Sequence, residues 1–449
     1  MIEMSLAEAA AAVEGEWTGA AVRFTAVATD SRQLAPGALF VALRGARFDG
    51  HAFVAEAARR GAVAALVSEP VADLPCIRVA DTRLALGRLA AAWRDRFPRP
   101  VIGLTGSNGK TTVKQMIAAI LATRGPVLAT QGNLNNDIGV PLTLLRLGDE
   151  AHAVIEMGAN HPGEIAWLTG LVRPEVALIN NAGPAHLEGF GSLDGVARAK
   201  GEIYRGLGPR GLGIVNADDG YAEFWRGLIG ERPCLSFGLD RPADVQGVVL
   251  DADRNRLRIR AGGEAVEFEL PLPGRHNARN ALAAAAAALA VGLDLDAVSA
   301  GLATLPAVSG RLQALPGRHG GVVIHDAYNA NPASLAAALQ TLSRRPGSKW
   351  LVLGDMGELG PEAPALHAEA GRQARAAGFA HCYAVGEHSR EAVAAFGAGA
   401  WHFPDLDALL AAVTGALAGA PDPPLLLIKG SRSQRLERAV QALVAGEMR

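Results

Sequence analysis

The run Val101-Ile102-Gly103-Leu104-Thr105 empties into Gly106-Ser107-Asn108-Gly109-Lys110-Thr111-Thr112, and no other stretch constrains this chain as much. A short apolar strand that breaks into a glycine turn and reopens as a helix leaves backbone N–H groups facing the mouth of the turn, where phosphate oxygens can sit. Lys110 can reach the terminal phosphates, and the Thr111 hydroxyl can ligate Mg²⁺. The pattern is a variant P-loop, T-G-x-x-G-K-T, because Leu104 stands five residues before Gly109 and Gly103 lies one place earlier. A nucleoside triphosphate site is therefore expected. Motors, kinases and ligases share such a loop, so the motif alone leaves the reaction open.

A chain of 449 residues exceeds one ordinary core, and two to four domains of roughly 150 residues each are expected. Apolar residues are 49% of the chain and supply ample core, while the net charge of −2 argues against a nucleic-acid coat or a polybasic membrane anchor. Small-molecule partners follow. Cys76, Cys234 and Cys382 show no metal-binding or disulfide spacing and read as buried thiols in a reducing compartment. The start, MIEMSLAEAA, has no basic segment leading into an apolar one, and the alanine-rich run Ala281 to Leu293 falls short of the ~20 residues that span a bilayer. A cytoplasmic protein without membrane insertion is expected.

Phe97-Pro98-Arg99-Pro100 interrupts a helical pattern and marks a first boundary. Beyond it, the strand-like runs Val101–Thr105, Ala153–Met157, Val176–Asn180 and Gly213–Val215 alternate with helical patterns, as in a mostly parallel sheet with ligands at the carboxyl ends of its strands. Leu305-Pro306 and Ser309-Gly310-Arg311 look like a second linker. A fresh α/β series follows, with strands at Val322–His325, Trp350–Leu353, His381–Val385 and Leu425–Ile428, and Leu335, Leu339 and Leu342 on one helix face. Three α/β domains are expected, at 1–98, 99–309 and 310–449.

Glu156 follows an apolar strand, where a P-loop enzyme places a magnesium ligand. His186, in the turn Asn180 to Glu188, and Lys200 in Lys200-Gly201-Glu202 are by themselves an ordinary loop histidine and helix lysine. Their company changes that reading. TGSNGKTT, GNLNNDIGVPLTLL, EMGANHPGEI, NNAGPAHLEGFGSLDGVARAKGEI, GRHNARN, HDAYNANPASL and LGDMGELG stand in the order and spacing of the Mur ligases of peptidoglycan synthesis. The resemblance runs from Asp30-Ser31-Arg32 to Lys429-Gly430-Ser431-Arg432.

The resemblance implies an N-terminal UDP-binding α/β domain, a central P-loop ATPase domain with a parallel sheet, and a C-terminal Rossmann-like domain. It implies that Gly106, Ser107, Asn108, Gly109, Lys110, Thr111 and Thr112 hold the ATP phosphates, and that Thr111 and Glu156 share one Mg²⁺. His186 and a carbamylated Lys200 would hold a second Mg²⁺, the added CO₂ turning a cation into an oxygen ligand for a hard ion. Lys110, Glu156, His186 and Lys200 would carry the catalysis. Asn277 and Asn280 resemble adenine contacts, and Arg311 and Asp326 would reach the nucleotide from across the second linker.

Ser31, Arg32, Phe40, Asp49, Gly50 and His51, in a segment that includes Arg47, resemble the family's UDP module. Asn135 and Asn136 would touch the nucleotide-linked substrate. The last-domain segments match the member that adds D-alanyl-D-alanine to a UDP-N-acetylmuramoyl-tripeptide, and the Asp-Asn-Pro-Arg segment of the member adding the third residue is missing. Candidate dipeptide contacts are Asn329, Asn331 and Lys429. The implied activity is ATP-dependent amide-bond formation by a monomer, through an acyl phosphate. Its alternatives are a related ligase of another amino acid and an ATP-switched binding protein.

Overall fold

Three large sheets follow one another along the chain in the computed structural model, which describes residues 2–45, 48–306 and 309–446. Arg47 of the UDP-like segment lies outside the described residues. The first sheet holds β1 (Glu16–Thr18), β2 (Ala26–Ala28), β3 (Ala38–Val41), β4 (Ala64–Val67) and β5 (Cys76–Arg78) in the order β1-β5-β4-β3-β2. All neighbours are parallel except β1 and β5. Helices α1 (Leu6–Val13) and α2 (Thr82–Arg94) belong to this part of the chain, with a short helix, Val54–Arg59, between them.

The second sheet has nine strands: β6 (Val101–Thr105), β7 (Val127–Ala129), β8 (His152–Glu156), β9 (Val176–Ile179), β10 (Leu212–Asn216), β11 (Cys234–Gly238), β12 (Val245–Asp251), β13 (Arg256–Ala261) and β14 (Glu264–Glu269). Their order is β7-β8-β6-β9-β10-β11-β12-β13-β14. Strands β6 to β12 pair in parallel; β6, β8, β9 and β10 fall on the expected apolar runs, and β7, β11 and β12 add to them. The last three form an antiparallel meander that the sequence reading passed over. Its strands alternate polar and apolar residues because one face packs and the other meets water, and Gly262-Gly263 turns the final hairpin at positive φ.

Between these strands run α3 (Lys110–Leu121), α4 (Gly139–Leu144), α5 (Glu164–Val172) and α6 (Leu193–Gly201). After them come α7 (Arg275–Ala290) and α8 (Leu295–Ala303). The alanine run is the buried helix α7, and Ala281 and Ala283 through Ala288 are all fully buried in the core that also holds Val113, Ile117 and Ile120 of α3. No described helix is long and apolar enough to cross a membrane.

The third sheet comprises β15 (Gln313–Pro316), β16 (Val322–His325), β17 (Lys349–Gly354), β18 (His381–Val385), β19 (Ala400–Phe403) and β20 (Leu425–Lys429), in the order β15-β16-β20-β17-β18-β19. Only β15 runs antiparallel to its neighbour. After β16, Asn331 opens α9 (Pro332–Ser343) as its N-cap, in a capping box with Ser334 and with proline in the first turn.

The two seams between domains differ in kind. One apolar core runs without a break from Leu6, Leu39 and Leu66 of the first domain, through Leu86 and Leu89 of α2, to Ile155, Ile165 and Leu168 of the second. Buried Arg94, near the end of α2, donates to Val172 O (2.9 Å) and Phe97 O (2.8 Å) and pairs with Glu175 (2.9 Å). The prolines at 98 and 100 therefore end a helix without making a hinge. By contrast, the second domain's other core ends at Leu305, and the third domain packs its two clusters around residues of its own.

A Cβ added at Gly301 of α8 would lie 2.4 Å from the Ile120 Cα of α3, so the two helix backbones meet there. Gly301→Ala is expected to cost about 1–3 kcal/mol by overpacking, read as a lower denaturation midpoint of the central domain. An unchanged midpoint would show that α3 and α8 can separate without loss.

Candidate active site

A cleft of about 1070 Å³ is lined by the loops that leave β6, β8 and β9 and by residues of the third domain. The loop after β6 is shaped by Gly106 at φ 150° and Gly109 at φ 77°. A Cβ on Gly109 would stand 2.5 Å from Asn280 Oδ1 and 2.6 Å from Asn180 Nδ2, so only glycine fits. Asn180 Nδ2 donates to Asn108 O (2.8 Å) and to Asn280 Oδ1 (2.9 Å). Ser107 N donates to Asn181 O (3.0 Å), and Asn108 N to Asn181 Oδ1 (2.9 Å). The loop is thus held rigid by the neighbouring strand end. Lys110 Nζ folds back to Gly106 O at 2.8 Å, and burial pulls its ammonium below the ordinary lysine range.

Glu156, at the end of β8, is 2% exposed. Its Oε1 accepts from Asn135 Nδ2 (2.8 Å) and from Thr111 Oγ1 (3.4 Å). Lys114 Nζ lies 3.3 Å from Oε2, yet Oε2 accepts no hydrogen bond among the described residues. A buried carboxylate oxygen in that condition, beside a hydroxyl and a phosphate-type loop, suits a hard cation that takes its remaining ligands from phosphate and water. Among the described residues no three His, Cys, Asp or Glu side chains converge as a ready-made metal cluster. Lys114 was missed in the sequence, although it stands one helical turn after Lys110 and so shares its face of α3.

His186 lines the same cleft from a left-handed backbone position (φ 56°), and its Nδ1 contacts the carboxylate of Glu358, which is also left-handed (φ 60°). Contact with the His186 ring holds the Glu358 carboxyl below its usual range. Such backbone is uncommon outside glycine, and here it occurs on both sides of one contact between domains. A second polar contact crosses the same seam, from Asn331 Nδ2 to Asn108 Oδ1 at 2.7 Å. Lys200 is not on the cleft wall. It is 1% exposed, donates to Ala159 O at 3.4 Å and lies over the Phe190 ring at 5.3 Å. Burial, reinforced by the Lys110 cation, pulls its ammonium down to about 7.

Several of the expected amides have partners within the protein. Asn135 Nδ2 supports Glu156, and Asn136 Oδ1 accepts from Gly139 N (2.8 Å) at the start of α4, while both residues line the cleft. Asn280 braces the phosphate loop, and its Nδ2 donates to Asn277 Oδ1 (3.1 Å), while Asn277 Nδ2 donates to Pro273 O (2.8 Å). Asn331 is a helix cap tied to Asn108. Lys429, 2% exposed, pairs with Asp326 Oδ2 at 2.6 Å and donates to Asn329 O, so its charge is neutralised inside the third domain. Arg311 and Arg432 both stack on Tyr328, at 4.6 Å and 5.5 Å from the ring centre, and all three line the cleft.

The UDP-like segment stands apart, since none of its described residues lines this cleft. Phe40 is a core residue, 1% exposed, packed with Val54, Ala57 and Val67. Asp30 caps a short turn by accepting from Arg32 N (2.9 Å), and the Arg32 guanidinium folds back onto the same carboxylate (2.7 Å). Ser31 Oγ donates to Glu56 Oε2 at 3.3 Å. Asp49 accepts from His51 N, and His51 Nε2 accepts from Ser68 N (2.9 Å), so that ring ties two loops together. Gly50 is needed because a Cβ there would meet Leu43 N at 2.7 Å.

Residues 23–94 match the family described as Mur ligase family, catalytic domain; residues 104–288 match Mur ligase middle domain; residues 310–432 match Mur ligase, glutamate ligase domain. The chain is a Mur ligase. It is similar to the UDP-N-acetylmuramoyl-tripeptide–D-alanyl-D-alanine ligase of Escherichia coli (strain K12), at 48% identity over 448 residues and 99% of each chain. Its fold superposes on the crystal structure of MurF from Acinetobacter baumannii with a TM-score of 0.92 at 37% identity, covering 98% of each chain. The MurF ligase from Thermotoga maritima in complex with ADP superposes with a TM-score of 0.83 at 27% identity, covering 93% of this chain and 96% of that one.

The seam of this Mur ligase next to the third domain carries two directional contacts, Glu358 to His186 and Asn331 to Asn108. In the double variant Glu358→Ala/Asn331→Ala, the third domain is expected to swing away, read by small-angle scattering as a larger radius of gyration. A scattering curve identical to wild type would mean that other contacts hold the domains together.

Proposed function

We propose that this Mur ligase joins D-alanyl-D-alanine to UDP-N-acetylmuramoyl-tripeptide with consumption of ATP, giving the UDP-linked pentapeptide used in peptidoglycan synthesis. The reading is carried by likeness over 99% of both chains to the Escherichia coli ligase of that activity. The enzyme is an ATP-dependent acid–amino-acid ligase. The terminal carboxylate of the tripeptide attacks the γ-phosphorus, ADP leaves, and an acyl phosphate results. The dipeptide amine then attacks the acyl carbon, loses a proton, and phosphate departs. Phosphorylation is needed because oxide is a poor leaving group. The reaction belongs in the cytoplasm, and the enzyme is read as a monomer.

The backbone N–H groups of Ser107 to Thr112 and the Lys110 ammonium are assigned to the phosphates, where they offset charge on the transferring group. Glu156 and Thr111 would hold a Mg²⁺, which supplies further charge neutralisation there. Arg311 and Asp326 are assigned to the nucleotide from the third domain. Asn277 and Asn280 border the nucleotide, with Asn280 acting through the phosphate loop it braces. The uridine end is assigned to the surface around Ser31 and Arg32. A second cation held by His186 and carbamylated Lys200 is supported by the state of that amine. Near neutral pH a large share of Lys200 is uncharged, with its ammonium pulled down to about 7, and the free amine is the form that adds CO₂.

The deciding experiment is phosphate release with ATP, Mg²⁺, UDP-N-acetylmuramoyl-tripeptide and D-alanyl-D-alanine, omitting each in turn and weighing the product. Release that requires every component and yields the pentapeptide is expected. Release without dipeptide, or no pentapeptide, would overturn the reading. Lys200→Ala is expected to abolish turnover, and a short-chain carboxylate added to the buffer to restore part of it. Full activity of the plain alanine variant would remove the carbamate from the mechanism.

A further inference from the structure

An incoming D-alanyl-D-alanine carries a carboxylate that takes no part in bond formation, and a cleft that selects this dipeptide needs a cation for it. Most cationic side chains along the cleft are already engaged. Arg83 pairs with Asp137 (2.6 Å), Arg279 with Asp218 (3.2 Å) and Asp240 (2.9 Å), and Lys429 with Asp326 (2.6 Å). Lys110 lies folded on the phosphate loop. On the third domain two guanidiniums share the Tyr328 ring, and of these Arg432 is paired with Glu437 through Nη1 alone, which keeps its other edge open. Arg311 is already assigned to the nucleotide in the reading above, and both arginines line the cleft.

We propose that Arg432 anchors the carboxylate of the incoming dipeptide, and that Tyr328, whose ring both guanidiniums contact, sets the distance from that anchor to the reacting centre. The inference rests on the dipeptide-joining reading above. Arg432 Nη1 donates to Glu437 Oε1 at 2.7 Å, which fixes the plane of the guanidinium. Among the described residues its Nε and Nη2 have no hydrogen-bond partner, and this edge matches a carboxylate in the two-pronged manner of arginine. The side chain is 67% exposed, so the ligand does not have to displace a buried partner. The spacing agrees as well. Two guanidinium carbons at 4.6 Å and 5.5 Å from one ring centre are no more than about 10 Å apart, and an extended dipeptide spans about 7 Å. One end can therefore sit at the phosphoryl group beside Arg311 while the other meets Arg432.

The test compares D-alanyl-D-alanine with its C-terminal amide, which keeps the amine and both methyl groups but lacks the charge. Wild type is expected to favour the acid in kcat/KM by roughly 10- to 150-fold, the range of a hydrogen bond to a charged group. In Arg432→Gln the KM for the acid should rise by a similar factor and the preference for acid over amide should fall to near one. The KM values for ATP and for the UDP-linked substrate should stay at wild type. Arg432→Lys, which keeps the charge without the fork, should fall between the two. A wild-type preference retained in Arg432→Gln would overturn the anchor while leaving the ligase reading intact. Failure of wild type to make pentapeptide from the acid would overturn that reading, and the anchor with it.

Discussion

Everything at this site depends on the pairing of Val101–Thr105 between two parallel neighbours. Leu104 lies opposite Glu156 on one side, and Thr105 opposite Ile179 on the other. That register brings the ends of three strands to one edge of the sheet. The ends are then locked, by Met157 N to Leu104 O (2.8 Å), Asn180 N to Thr105 O (3.0 Å) and Thr105 Oγ1 to Met157 O (2.7 Å). A slip of one residue would move Glu156 away from Thr111 and Asn180 away from Gly109 together. The strand order also changes direction at β6, and at such switch points the crevice between diverging loops takes the ligand.

The two seams follow from what each face of the central domain can bury. On the N-terminal side, leucines of α2 continue a single apolar core, and separating the domains would return that surface to water. On the C-terminal side the contacts are amides, a histidine and carboxylates, groups that exchange partners with water at a small net cost. The first two domains thus share one core, and the third is held to them by polar contacts that cost less to break. Since an acyl phosphate hydrolyses when water reaches it, the less tightly held cover is where the chemistry needs it.

Much of this was legible in sequence because the signals are local. The parallel strands are apolar runs bounded by turn residues, and the phosphate loop is a contiguous motif. The meander was equally local, with Gly262-Gly263 between alternating runs, and was passed over only because the βα alternation around it is so regular. Partner choice was not legible. Asn135, Asn136, Asn280 and Asn331 carry the same donor and acceptor, and nothing along the chain tells a carboxylate support from a helix cap, a loop brace or a link between domains. Lys429 is similar, since its neutralising partner Asp326 lies 103 residues away. Phe40 has the aromatic surface of a base-stacking residue, but its strand is buried on both faces.

The electrostatics explain why the third domain belongs to the nucleotide site at all. Lys110 and Lys114 stand on one face of α3 with Glu156 as the acid that favours their charge, while burial and Arg311 both disfavour it. Bringing Arg311 toward those lysines therefore costs energy in the protein alone. A triphosphate reverses the sign of that term, because its charge attracts Arg311 and both lysines at once, in a cleft where water screens little. Closure of the third domain is then favoured by the ligand that has to be enclosed.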